Sequence, residues 1–152
     1  SSNNFESFFA LMLSLNSNPV IRLSKSWKYV PKKYVDKFTK LRELISSKNS
    51  YKNIRAKQNQ SVLPILPYMG IFCSDLVSLN QITLKKKDSS LNPNNLIKTL
   101  HIINKALMFQ NTPYDFQDNK LLKQYLINQF HLVSKVKDEF FYDCSINLEP
   151  KK

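Results

Sequence analysis

Two histidines and two cysteines are the side chains best suited to bind a metal or attack an electrophile, and their spacing supports neither role. His101 belongs to a helical pattern and His131 to a helix end, where imidazoles are ordinary surface or structural residues. Cys73 and Cys144 are too few and too far apart for a disulfide framework, and the thiols are expected to be reduced. No Ser/His/Asp or Cys/His constellation is readable. Asp75 has the chemistry of a general acid, but beside Gly70 in an apolar run it is better placed to cap or brace a helix. Gly70 is the only glycine, which argues against phosphate and dinucleotide loops and against many-stranded folds with glycine-bearing turns. No metal and no cofactor is expected, and the composition favours an all-α protein.

The next chemistry is charge. The net charge is +12, and between Arg22 and Lys57 there are 12 Lys or Arg residues against only Asp36 and Glu43. Such a stretch can bind anionic lipid head groups or nucleic acid, or steer an acidic protein. It is equally what a solvated, lysine-coated helix would carry. No apolar run approaches the ~20 residues that span a bilayer and no cationic-then-apolar leader is read, so the expected location is the cytoplasm.

These residues must be positioned by helices. With 152 residues, 42% of them apolar, the chain can support one hydrophobic core. Asn3 followed by Glu6 reads as a capping box, with Phe5, Phe8, Phe9, Met12 and Leu15 as the apolar face of the first helix. Pro19 stops that helix by forcing Asn18 out of the helical region. A second helix starts at Pro31 with Tyr34, Phe38, Leu41 and Ile45 as its stripe, and a short basic helix follows from Tyr51 to Lys57. From Gly70 the pattern is helical again through Phe72, Leu76 and Leu79. Beyond a polar connection at Lys85–Asn95, a long helix carries Leu96, Leu100, Ile103 and Leu107, and Pro113 closes it. Further helices are expected over Asn119–Phe130 and Lys135–Cys144, with Tyr125, Leu126, Phe130, Val136, Phe140 and Phe141 buried.

Four short motifs in order carry a family resemblance. Asn4-Phe5, then Leu15-Asn16-Ser17-Asn18-Pro19-Val20, Arg22-Leu23 and Trp27, are similar to an "NF…LNSSPV.RL…W" segment. Leu66 to Leu76 is similar to a "PYLGIYLTDL" signature. Gln110-Asn111-Thr112-Pro113-Tyr114 resembles "QNQPY", and Ser145 to Pro150 resembles "S..IEPR". The whole resembles the catalytic domain of Ras-type guanine nucleotide exchange factors. The match covers nearly all of the chain and only the later portion of that domain. Residues 1–152 are therefore expected to be its C-terminal part, as a fragment, a processed product or a divergent short form.

The resemblance implies an irregular all-α helical bundle with a protruding helical hairpin at about 74–110. It implies no covalent chemistry: the hairpin pries open the nucleotide site of a Ras-family small GTPase. By position, Val77 matches the apolar residue that intrudes on the magnesium site, and Gln81 stands where many members have glutamate, so their "EE" reads Asn80-Gln81 here. Phe9, Asn16, Tyr51, Tyr68 and Ser74 match the residues that hold the GTPase. Three functions are open: exchange factor recruited to a membrane, catalytically silent GTPase-binding scaffold, and basic nucleic-acid-binding protein. The last rests on charge alone, without a zinc-finger spacing or RNA-binding motif, and nucleic acid is not the expected partner. An anionic membrane surface meeting the 22–57 region is a further expected contact.

Overall fold

The computed structural model describes residues 2–84 and 93–151, apart from the side chains of 82–84 and 138. Among them the chain forms α1 (Phe5–Leu15), α2 (Asn18–Ile21), α3 (Ser24–Lys28), α4 (Lys32–Leu44), α5 (Lys48–Gln60), α6 (Met69–Leu84), α7 (Pro93–Leu107), α8 (Lys120–Val133) and α9 (Asp138–Leu148). A 3-10 turn, Met108–Asn111, follows α7, and no strand occurs among the described residues. The fold is all-α, as the sparse glycine and the helical periodicities require. It divides into two units, Ser1–Leu11 with Glu43–Tyr114, and Met12–Arg42 with Asp115–Lys152.

The first unit buries Phe5, Phe9, Ile45, Ile54, Ile65, Ile71 and Phe72. Its segment 62–68 is pinned to the start of α1 by a short parallel bridge: Phe5 N–H donates to Leu66 O at 2.8 Å, and Leu66 N–H donates to Asn3 O at 3.2 Å. The Tyr114 hydroxyl closes the same junction, accepting from Leu66 N–H at 2.9 Å and donating to Ser2 O at 2.6 Å. The expected Asn3/Glu6 capping box is not what forms. Asn4 caps α1, its Oδ1 accepting from Ser7 N–H at 2.8 Å, while the Asn3 amide donates to Val62 O. With α1 already capped, the Glu6 carboxylate instead accepts the Met69 N–H at 3.0 Å, at the positive end of the α6 dipole.

α6 and α7 pack as an antiparallel pair, with Phe72 near the start of α6 edge-on to Phe109 beyond the end of α7. The connection read at Lys85–Asn95 lies outside the described residues up to 92, and Pro93 already opens α7. The expected stripe of α7 is corrected. Leu96, Leu100, Ile103 and Leu107 are each at least 40% exposed, and the more covered face is Asn95, Thr99, Ile102 and Ala106. The smaller Thr99 and Ala106 let two helices approach closely, which a row of leucines does not.

In the second unit Pro19 does not merely stop α1. It sits in the first turn of α2, where a fixed φ is favourable, and the extended residue is Ser17 rather than Asn18. Trp27 stacks on Phe38 with ring centroids 5.2 Å apart and donates its indole N–H to Val20 O at 3.0 Å. Two motifs far apart in sequence meet here. The Arg22 guanidinium donates to the carbonyl and hydroxyl of Ser145 and to Glu149 O. The buried Glu149 carboxylate accepts from Lys25 N–H, Ser26 N–H and the Ser26 hydroxyl at 3.0, 2.7 and 2.8 Å. Burial pushes that carboxyl up, and the three hydrogen bonds with the Lys25 charge outweigh it, leaving it below the ordinary carboxylate range.

The last helices differ from expectation in extent and burial. α8 is capped as read, Asn119 Oδ1 accepting from Leu122 N–H at 2.9 Å. α9 starts at Asp138 rather than Lys135 because Lys137 is extended, and Glu139 then falls in the first turn, as the dipole favours. Tyr125, Leu126, Phe130, Phe140 and Phe141 were expected to be buried and are each more than 40% exposed; only Val136 is partly covered. Every residue of α8 is exposed, so no described element covers its apolar stripe.

Candidate functional site

Glycine 70 organises the site. It lies in the first turn of α6 without a positive φ, so its role is space and not backbone freedom. A Cβ there would lie 2.5 Å from the Cζ and Oη atoms of Tyr68 and 2.8 Å from its Cε1. The absence of that carbon lets the Tyr68 ring fold down over the helix start. There it lies flat on Phe9, with centroids 3.6 Å apart and planes 5° from parallel. Tyr51 completes the group at 6.3 Å from Phe9 and 6.4 Å from Tyr68, inclined to both.

Sequence reasoning therefore brought together Phe9, Tyr51 and Tyr68, which three separate elements deliver to one place. Their exposures differ. Phe9 is 2% exposed and forms the floor, whereas Tyr51 and Tyr68 are partly open to solvent. Desolvation, then the neighbouring Tyr51, Glu6 and Cys73, pushes the Tyr68 phenol above its ordinary pKa, so it stays protonated and able to donate. Such a surface, apolar with hydroxyl handles, is suited to anchoring a protein partner.

Ser74, Val77 and Gln81 share one side of α6 at i, i+3 and i+7, and all three are exposed. Val77 is 56% exposed, well beyond what an apolar residue serving only the core would show. Asn16 follows α1 in the second unit, half-buried, with its N–H donating to Met12 O at 3.0 Å. His101 and His131 are exposed, and among the described residues no group of His, Cys, Asp or Glu could hold a metal ion.

One residue of the site was not anticipated. Asn49, Ser50 and Tyr51 all adopt left-handed backbone, at φ 50°, 54° and 62°, before α5 continues right-handed. For non-glycine residues this costs roughly 1–2 kcal/mol each, and for a bulky residue such as Tyr51 it needs external support. Arg55 supplies it. Its Nε donates to Ser50 O at 2.6 Å, while Nη1 and Nη2 make a two-pronged ion pair with Asp75 at 2.8 and 2.7 Å. Asp75 thus braces α6, the role read for it from the sequence.

The RasGEF domain family profile matches residues 1–105. The chain belongs to the RasGEF domain family. The likeness extends past the profile. Ras-specific guanine nucleotide-releasing factor 1 of Rattus norvegicus is 30% identical over 150 residues, spanning 98% of this chain and 12% of that protein. Ras-specific guanine nucleotide-releasing factor 2 of Danio rerio is 28% identical over 150 residues, with the same two shares. Ras guanine nucleotide exchange factor S of Dictyostelium discoideum is 33% identical over 159 residues, spanning 98% of this chain and 15% of that protein. The RasGEF chain thus corresponds to a small part of each relative's length. Among its described residues, no helix is long and apolar enough to cross a membrane.

Proposed function

We propose that this chain is the C-terminal part of a RasGEF catalytic domain and promotes guanine nucleotide release from a Ras-family small GTPase. The observation that carries the reading is the convergence of Phe9, Tyr51 and Tyr68 beside the exposed Ser74–Val77–Gln81 face of α6. The switch region of the GTPase docks on Tyr51 and Tyr68, supported from beneath by Phe9, with Ser74 as a further contact; Asn16, in the other unit, is a GTPase contact by its motif position alone. The α6–α7 pair is the wedge. Val77 enters the magnesium site, and loss of that cation's charge destabilises the bound diphosphate. No covalent bond changes. A factor that binds the nucleotide-free GTPase more tightly than the loaded one weakens nucleotide affinity by the same ratio.

Asn80-Gln81 favours a second reading, a GTPase-binding scaffold with weak or absent exchange. Glutamine can hydrogen-bond the phosphate loop but does not repel phosphate. Release of a fluorescent guanine nucleotide from a panel of Ras-family GTPases separates the two: binding without faster release is the scaffold. Gln81→Glu is expected to raise the release rate severalfold, since one added charge near phosphate is worth about 1 kcal/mol at partly screened sites. A rate equal to the parent's removes the electrostatic role of this position.

The chain also meets an anionic membrane surface in this reading. Of the basic stretch, Arg22 and Arg55 are engaged internally, whereas Lys33, Lys37 and Lys40 are exposed along α4 at i, i+4 and i+7. Replacing these three lysines by glutamate should weaken sedimentation with phosphatidylserine vesicles by about fivefold or more per residue. Equal binding by parent and variant, or equal binding to neutral vesicles, refutes the membrane contact.

A further inference from the structure

Arg55 lies between the docking surface and the wedge. All three of its guanidinium nitrogens are committed, one to the backbone of the left-handed turn that carries Tyr51 and two to Asp75. Asp75 sits on α6 between Ser74 and Val77. Tyr51 in turn packs against Tyr68, which precedes α6 and rests over Gly70 in its first turn. The contacts close a ring: α6 to Arg55 through Asp75, Arg55 to Tyr51 through Ser50, and Tyr51 back to the start of α6 through Tyr68.

We infer that Arg55 is a positioning residue that fixes the register between the aromatic docking group and the exchange face of α6. This rests on the proposed exchange function and adds to it a residue that touches neither nucleotide nor GTPase. The left-handed turn is the element at stake. Three consecutive non-glycine residues in that conformation persist only where the surroundings over-determine them; beside a long backbone bond from Tyr51 N–H to Ser47 O at 3.4 Å, the turn is tied by the 2.6 Å side-chain contact of Arg55 Nε to Ser50 O. A planar guanidinium can grip a carboxylate with its two-pronged fork while its Nε–H reaches a third acceptor, a geometry that a lysine ammonium does not reproduce. Without the Asp75 half of the clamp, the Arg55 fork is free to turn and the Ser50 tie weakens with it.

The test uses Asp75→Asn, which leaves the turn's own side chains unchanged, and Arg55→Lys, which keeps the charge and loses the fork. Hydrogen exchange needs no GTPase. Amides at 50–54 are expected to exchange about tenfold faster in both variants, the opening expected for loss of a charge-assisted hydrogen bond, while amides of α9 are unchanged. Nucleotide release is then titrated to saturation with fluorescent GDP-loaded Ras. The maximal rate should fall about tenfold or more, as for a displaced positioning contact, with the half-saturating concentration within about twofold of the parent's. A residue that serves stability alone would not split the two parameters at a temperature well below melting. Full protection of the turn in Asp75→Asn overturns the inference, as does an unchanged maximal rate. If the parent chain releases nucleotide from no GTPase while the exchange of 50–54 changes as stated, the exchange function fails and the clamp stands as the device that holds Tyr51.

Discussion

Tyr68→Ala is expected to weaken the complex with a nucleotide-free Ras-family GTPase by at least about 2 kcal/mol, roughly thirtyfold in Kd. The size follows from what the ring does. It is the upper member of a parallel stack on Phe9, it is only partly covered, and it keeps a protonated hydroxyl. A partner that covers it removes the remaining apolar face from water and gains a donor, with little side-chain entropy to lose because the ring is already held. Tyr68→Phe separates the two contributions. It keeps the stack and is expected to cost only about 0.5–1.5 kcal/mol, that of one neutral hydrogen bond. Titration by fluorescence anisotropy, with helicity checked by circular dichroism, measures both variants. If Tyr68→Ala binds as the parent does while remaining folded, the docking surface lies elsewhere on the molecule.

How much of this was readable beforehand varies with the physical origin of each feature. The aromatic trio was legible to different degrees: Tyr68 lies inside a matched motif and Phe9 within the span of another, whereas Tyr51 lies in none of the four and followed from its position alone. Their difference in exposure was not legible, since composition alone would send all three to a core. The helices were legible as periodicities, yet α8 and α7 illustrate the limit. Period reports which residues share a face, and says nothing about whether another element covers that face. The Leu96–Leu100 side and the Tyr125–Phe130 side are both continuous and both open. The left-handed turn had half a signal, for asparagine tolerates that conformation and Asn49 begins it, whereas Ser50 and Tyr51 carry none. The Arg55–Asp75 clamp had no local signal at all. It joins residues on two helices, and a basic stretch offers many cations to any one acid. Likewise Arg22, Ser145 and Glu149 stood in two matched motifs whose mutual contact appears only in three dimensions.

Gly70→Ala should act on the site through Tyr68, and the sign of its effect should depend on that ring. In the parent the added methyl lands within 2.8 Å of two ring carbons and the hydroxyl oxygen, so the ring must move off Phe9 or the helix start must shift. Overpacking of this kind costs about 1–3 kcal/mol of stability. The loss in GTPase affinity should approach that of Tyr68→Ala, because the displaced ring no longer presents the same surface. The opposing term is intrinsic. Gly70 sits inside a helix with no need of positive φ, where alanine is favoured by about 1 kcal/mol. In the Tyr68→Ala background the clash is gone and only that term remains. There Gly70→Ala should stabilise the chain, raising its Tm, and leave GTPase affinity unchanged. The two substitutions are thus coupled, with an interaction energy equal to the clash term alone, about 1–3 kcal/mol, because the intrinsic term is common to both backgrounds and cancels. Equal destabilisation by Gly70→Ala in both backgrounds would place the need for glycine in the α6 backbone and not beneath the tyrosine ring.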